Sequence, residues 1–474
     1  MSPHPVPFDP STALRTGFAQ DRHPSRGERE PVSHGQVVTS SAAPLAPQIP
    51  LSFQHLGVRR FTAFLAIVYF AQGFADLSSG LVNQPLQYLL KEDMGLTATE
   101  SSSFWALIGL GWAVKPVYGL LSDFFPLFGY QRKSYLLLMS TLGISSWLTL
   151  SLFPHRYEFV LILLMLCAAT LAFCDVMTDA LMVETGRPLG LTGSFQAVQW
   201  AAISFALVLA QLAGGYLSAH AAPASVFLLS GLFPLMTFLA TLVLVQEPST
   251  TSSRAHAQAT LLSLEQAMRS RTLWLVAGFL FFWNFSPALG TPLLYYETDV
   301  LHFSKVFIGV LGALSNAAGI VGALLFFFYC QRVSLDRLLR IAVVLGVLST
   351  LGFIGLIGPQ SGLIIFFFFG LITQLTHLTI LDLAARSCPA HIEGTVFALL
   401  MSTLNIGKTG GTALGGWLYD HTGLIPLICV SAAFTTLCWL MVPFLSGKSD
   451  KQRSSRSESS PPHQDRQEQE ENLG

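Results

Sequence analysis

The feature that most restricts what this chain can become is a series of apolar runs, each close to the ~20 residues that a helix needs to cross the hydrocarbon of a bilayer. Twelve can be placed, at 61–83, 102–121, 135–153, 158–183, 193–218, 224–246, 272–296, 306–330, 337–357, 361–382, 394–418 and 424–446. Charge is scarce to match. Lys, Arg, Asp and Glu make up 11% of the 474 residues, against roughly 25% in soluble domains. The first 50 residues hold 8 of these charges and the last 28 hold 11, leaving 34 for the 396 residues between. A soluble globule of this size needs far more polar surface, so a cytosolic enzyme is excluded and the lipid bilayer is the expected solvent. The expected fold class is an all-α membrane protein, with twelve transmembrane helices in two six-helix repeats.

The net charge of −1 offers no basic surface for nucleic acid. Six cysteines lie in or beside apolar runs without CxxC spacing or partner histidines, which predicts buried small side chains and neither metal nor cofactor. Both ends are polar. Residues 1–58 and 447–474 are expected to be disordered cytoplasmic tails, because neither has the apolar content to order itself. The segment 247–271, too polar to span, is expected to be a cytoplasmic linker, with a short surface helix at 261–269, between six-helix bundles at 59–246 and 272–446. Arg59, Arg60, Arg132, Lys133, Arg332 and Arg337 fall on one face, while the other holds only Lys91, Arg156 and Lys305. Lysine and arginine accumulate in the cytoplasm, so both termini are placed there. A bacterial plasma or inner membrane is expected, with a plastid envelope as the alternative, and the protein is read as a monomer.

A repeat supports the two-bundle reading. At an offset of 201, Pro188, Gly193, Ala197, Gly214, Gly215 and His220 match Pro389, Gly394, Ala398, Gly415, Gly416 and His421. At an offset of 207, PLQYLLKEDMGLT from Pro85 compares with PLLYYETDVLHFS from Pro292. Two halves in the same orientation imply an axis along the membrane normal, with substrate sites near the midplane between them.

Charges at depth are the candidate functional groups, since each costs at least about 2.5–3.5 kcal/mol at the centre of the bilayer. Asp76 and Lys408 lie about 22 and 21 Å from the starts of their runs, and Asp175 about 12 Å from the cytoplasmic end of its own, too deep to snorkel easily. Lys115 and Asp179 lie nearer the cytoplasm, and Asp179 shares a helix face with Asp175. Asp175 is the first choice for a proton-carrying carboxylate and Asp76 the second. Lys408 suits an anionic substrate group or an ion pair. Asn83, Gln196, Gln199, Asn284, Gln374, His377 and Asn405 complete a candidate substrate and proton pathway, although polar residues of this kind also serve helix packing.

The most specific stretch is KPVYGLLSDFFPLFGYQRKSY, from Lys115 to Tyr135. It resembles the loop signature of the major facilitator superfamily and, more closely, the folate-biopterin transporter family, whose members carry similar KPxxGxxSD and GYRRxxY segments. YFAQG from Tyr69, DVMTDALMVE from Asp175 and IEGTVFALLMSTLNIG from Ile392 agree with that family, while Gln131 stands where it usually has Arg. Physically, Asp123 facing Arg132 and Lys133 across a short turn, with Lys115 and Asp179 nearby, reads as a cytoplasmic gate. The leading expectation is a secondary transporter working by alternating access with proton coupling, and the resemblance implies folate, a pterin or a related conjugated aromatic as its substrate. A facilitator for another solute, such as a muropeptide, drug or sugar, and a non-transporting pigment-assembly protein remain the alternatives. No Walker segment occurs and no nucleophile and base stand at a motif-like spacing, so neither an ATP-driven pump nor an enzyme is expected.

Overall fold

The computed structural model describes residues 51–153, 156–247, 265, 268–330, 332–388 and 393–446. Most of the expected tails, and most of the linker with its surface helix, lie outside the described residues. In chain order the helices are α1 (Leu51–Ala75), α2 (Asn83–Tyr88, continuing as a π turn over Leu89–Asp93), α3 (Ala98–Ala113), α4 (Lys115–Phe124), α5 (Lys133–Leu152), α6 (Tyr157–Leu189), α7 (Thr192–His220), α8 (Pro223–Ser230) and α9 (Leu232–Leu244). They continue with α10 (Arg271–Asn284), α11 (Gly290–Asp299), α12 (Lys305–Tyr329), α13 (Leu335–Gly352), α14 (Pro359–Arg386), α15 (Glu393–Thr422), α16 (Leu424–Leu437) and α17 (Val442–Ser446). Among the described residues, nine helical segments are long and apolar enough to cross a membrane. Helix also occupies the other three expected runs, but two of these runs are broken, and the third, α15, carries Asn405, Lys408 and several glycines.

The two breaks are equivalent. The first run stops at Ala75 and resumes at Asn83; the seventh stops at Asn284 and resumes at Gly290. In the first break Asp76 Oδ1 accepts hydrogen bonds from Ser78 N–H (2.8 Å), Ser78 O–H (2.8 Å) and Ser79 N–H (2.7 Å). Short polar side chains of this kind offer the backbone partners that compete with the helix. Two amides hold the segment in place, Asn83 Nδ2 donating to Leu77 O (3.0 Å) and Gln211 Nε2 to Ser79 O (2.7 Å). In the second break Pro287 has no N–H to give, Ser286 Oγ donates to Ser431 O (3.0 Å) and Ala288 N–H to Gly411 O (2.9 Å).

Each break rests on a glycine of the repeat. A methyl at Gly214 would stand 2.8 Å from Leu81 O, and one at Gly415 would overlap Ala288 O. Gly214 and Gly415 are related by the offset of 201, and Leu81 and Ala288 by the offset of 207. The neighbouring glycines carry the crossings between the amino-terminal helices (α1–α9) and the carboxy-terminal ones (α10–α17). Gly215 of α7 meets Gly309 of α12, where an added methyl would come within 2.8 Å of Gly309 Cα; Gly416 of α15 meets Ser102 of α3. Lipid is as apolar as leucine, so helices in a membrane associate through close packing of small residues, and here the same two positions supply it twice. Helix starts repeat as well. Thr97 caps α3 in a capping box with Glu100, and Ser304, 207 residues further on, caps α12.

Apolar cores form on either side of residues 246–271. Phe104, Trp147, Leu164 and Phe227 pack together among the amino-terminal helices, and Phe279, Leu339, Leu383 and Leu400 among the carboxy-terminal ones. Another cluster joins Tyr88 and Ala98 to Leu293, Phe353 and Leu427, close to the turns at 93–98 and 299–305.

Candidate functional site

Two polar constellations occupy the interior. The first lies wholly among the amino-terminal helices and is centred on Asp175, which is 6% exposed. Val114 interrupts the second run between α3 and α4, and Lys115, the next residue, places its ammonium 2.5 Å from Asp175 Oδ2 and 4.5 Å from the centre of the Trp112 ring. Gln72 Nε2 donates to Asp175 Oδ1 at 2.6 Å. Tyr69 O–H lies between the two carboxylates, 2.5 Å from Asp179 Oδ1 and 3.3 Å from Asp175 Oδ1, and Gln199 Nε2 donates to Asp179 at 3.3 Å. The i,i+4 spacing of the aspartates, read from sequence, thus becomes a shared network with one cation, one phenol and two amides.

The second constellation is a cavity of about 830 Å³ between the amino- and carboxy-terminal helices. Asp76, Asn83, Asn405 and Lys408 line it, and Asn405 Nδ2 reaches across to Trp112 O (3.1 Å). The remaining expected pathway residues are not on its wall. Gln199 belongs to the Asp179 network, Gln196 is exposed, Asn284 bonds back to Leu280 O within its own helix, Gln374 packs against Gly319, and His377 is half-buried on α14 beyond the cavity-lining Thr373 and Thr376.

The expected gate residues also meet, within the amino-terminal helices. Arg132 lies 2.6 Å from Asp123 and 3.0 Å from Glu184, and it also donates to Ser122 Oγ. Glu247 accepts the backbone N–H groups of Gln131 (2.9 Å), Arg132 (3.1 Å) and Lys133 (2.7 Å), and Lys133 Nζ donates to Val245 O. Lys115 and Asp179 belong to the Asp175 network instead.

The contacts that join the two sets of helices across charges lie on the opposite face. Lys91 pairs with Asp299, and Lys305 with Glu92 at 2.5 Å. Each lysine also sits over a tyrosine of the other set, Lys91 at 5.1 Å from the Tyr295 ring centre and Lys305 at 4.1 Å from that of Tyr88. Glu92 and Asp299 are 207 residues apart, as are Tyr88 and Tyr295, so the repeat supplies the acid and the ring of each contact, whereas Lys91 matches Thr298 and Lys305 matches Ala98. Asp420 adds bonds from Thr99 N–H (2.7 Å) and O–H (2.6 Å), and Tyr295 O–H donates to Leu96 O (2.7 Å).

The profile of the BT1 family matches residues 72–442. The chain belongs to the BT1 family. Relatives of this BT1 chain include the folate-biopterin transporter of Synechocystis, 32% identical over 403 residues (80% of this chain, 79% of the relative). Others are the probable folate-biopterin transporter 4 of Arabidopsis thaliana, 25% identical (77% and 89%), and folate transporter 1 of Plasmodium falciparum, 25% identical (76% and 73%). Solved structures of similar shape include the nucleoside transporter NupG (TM-score 0.64, 13% identity, 81% of this chain and 98% of that one) and a D-xylose–proton symporter (0.64, 12%, 81% and 97%). The BT1 chain is therefore an all-α, multi-pass membrane transporter of the major facilitator fold, not an enzyme.

Several residues of the BT1 chain escaped sequence reasoning. Lys91 and Lys305 counted only as face markers; their partners Glu92 and Asp299 already stood in the aligned repeat segments, where the shared acid was the available signal. Gln211, which pins the first break, lies in a run read for its glycines. Glu297, 3% exposed and on the cavity wall, falls one residue beyond the expected end of the seventh run, and so was not counted among the charges at depth.

Proposed function

We propose that this chain is a secondary active transporter that carries folate or a pterin-like solute through the central cavity by alternating access, coupled to protons. The observation that carries the reading is the cavity itself. It is lined from both sets of helices, bounded by two broken helices at equivalent positions, and has Lys408 on its wall. Discontinuous helices at a repeat interface are where transporters of this architecture hold their solutes, and about 830 Å³ is ample for a drug-sized molecule. The names of the relatives supply the solute class, and Lys408 suits a carboxylate of a folate.

Alternating access follows from two bundles, 59–246 and 272–446, rocking about the linker 247–271. A latch of two ion pairs, through Lys91 and Lys305, closes one face, while the Arg132 network braces the amino-terminal bundle at the other. The bias of lysine and arginine assigns the Arg132 face, with both chain ends, to the cytoplasm of a bacterial inner membrane, where the protein works as a monomer. For the proton, the reading favours the Asp175–Asp179 pair. Two carboxylates sharing Tyr69 and one lysine repel each other, so proton uptake by one relieves the repulsion and shifts the balance with Lys115. Asp76, with three local donors on one oxygen, shapes the first break.

Uptake of labelled folate and biopterin into vesicles holding the purified chain, with and without an inward proton gradient, tests the proposal. The expected outcome is gradient-dependent accumulation, lost in Lys408→Gln for folate. Accumulation of some other solute with neither folate nor biopterin moving would overturn the solute class, and gradient-independent uptake would overturn the coupling.

A further inference from the structure

Buried polar atoms in folded proteins almost always have a hydrogen-bond partner. Among the described residues, seven buried side-chain atoms lack one, and four of these belong to residues on the cavity wall: Gln87 Oε1, Ser102 Oγ, Trp105 Nε1 and Glu297 Oε1. Ser102 is explained by packing, since it is pressed against Gly416 at a helix crossing. The other three are not. They come from both sets of helices, Gln87 on α2, Trp105 on α3 and Glu297 on α11, and they combine two acceptor oxygens with an indole N–H donor.

Glu297 is the hardest to account for as structure. Its side chain is buried, no ion pair among the described residues includes it, and the two latch lysines, Lys91 and Lys305, are taken by Asp299 and Glu92. Leaving a buried carboxyl oxygen without a donor is costly, and the cost is recovered when a ligand brings the donor. The position is also informative. Glu297 lies two residues before Asp299 of the latch, while Lys408 lies twelve residues before Asp420, which meets Thr99 at the same face. At 1.5 Å per residue the two differ in depth by about 15 Å. The cavity thus has an acceptor-rich pole near the latch and a cationic pole near the midplane.

Given the folate or pterin reading, on which this step rests, we infer that Glu297 sets specificity by accepting the paired N–H donors of the solute's aminopyrimidinone edge. Gln87 adds a second acceptor and Trp105 a donor to the ring, while Lys408 takes the acidic tail. A carboxylate offers two oxygens to two adjacent N–H groups, and glutamine at this position would replace one of them with a donor facing a donor. Asp175 is not available for this contact, because its oxygens are already occupied by Lys115, Gln72 and Tyr69.

The experiment compares the unaltered chain, Glu297→Gln and Glu297→Asp in vesicles, with labelled folate as solute, and pterin and p-aminobenzoylglutamate as inhibitors representing the ring and the tail alone. Glu297→Gln is expected to raise the KM for folate and the inhibitory concentration of pterin about ten- to a hundredfold, the loss of one hydrogen bond to a charged group. Inhibition by p-aminobenzoylglutamate should stay within about twofold, which also shows that the variant is folded, and Glu297→Asp should recover part of the loss. Equal KM and equal pterin inhibition in the two proteins would overturn the inference while leaving folate transport standing. So would an unchanged KM with loss of gradient-driven accumulation only, which would make Glu297 a proton site. If the unaltered chain moves no folate, the solute reading fails and takes the inference with it.

Discussion

Lys115 and Asp175 show how a residue's meaning changes once its partners are known. From depth alone Asp175 is a lone acid in lipid, whereas the structure gives it a cation at 2.5 Å and an amide at 2.6 Å. Removing one member of a buried pair strands the other, at a cost of about 3–5 kcal/mol. Asp175→Asn and Lys115→Gln are each expected to lower stability by that order, and the double variant by less than the sum. Denaturant unfolding of all four proteins in detergent would measure the coupling, and additive losses would refute the pair. Asp76 calls for the opposite test. Its Oδ1 holds the turn at Ser78 and Ser79, and asparagine offers the same oxygen, so Asp76→Asn should keep both stability and transport while Asp76→Ala loses about 1 kcal/mol. A transport-dead, fully stable Asp76→Asn would instead make Asp76 a proton carrier. The positions of these charges along the helices were readable, because lysine and aspartate stand out in an apolar run. Their partners were not, since Gln72, Tyr69 and Gln199 come from helices whose rotation about their axes no run length specifies.

At the scale of elements, counting apolar residues located the runs but overlooked that the first and the seventh are broken by non-helical segments. Ala75 to Asn83 reads as apolar enough to span, and the break comes from Asp76, Ser78 and Ser79 bonding locally, with Gln211 of α7 holding Ser79. The glycine pairs were visible as a repeat; their purpose was not. Gly415 receives the Ala288 carbonyl and Gly215 receives Gly309, leaving no room for a methyl group. Gly415→Ala and Gly215→Val should therefore force the helices apart and lower the melting temperature by several degrees or abolish expression. Gly193, helical but with open space around its Cα, supplies the contrast. Gly193→Ala should be neutral or gain up to about 1 kcal/mol. Equal thermal stability of all three variants would show that the crossings carry no packing constraint.

For the whole molecule, the proposed function makes the Lys91 and Lys305 ion pairs the contacts that close one face. These ion pairs are partly exposed, with Asp299 54% and Glu92 46% accessible, and such pairs contribute only about 0–1 kcal/mol each, weak enough for the opening that the proposed function requires. In Lys91→Gln/Lys305→Gln the face should open more readily. A single cysteine at Gln87, in a chain cleared of its native cysteines, should then react faster with an impermeant thiol reagent added from the latch side, and an unchanged rate would remove the latch from the closing mechanism. Sequence by itself determined that the chain lives in lipid, that its helices are duplicated and which residues are too costly to be there by accident, because hydropathy, repeat spacing and intramembrane charge are properties of a linear string. Only the tertiary structure decided which charges neutralise one another and which face a cavity. Asp175 and Lys408 both lie deep in their runs, yet one is fully paired and the other lines the cavity, and Glu297 became visible only as an acceptor left without a donor. Hydrogen-bond satisfaction depends on neighbours that lie up to hundreds of residues apart, and only packing brings those neighbours together.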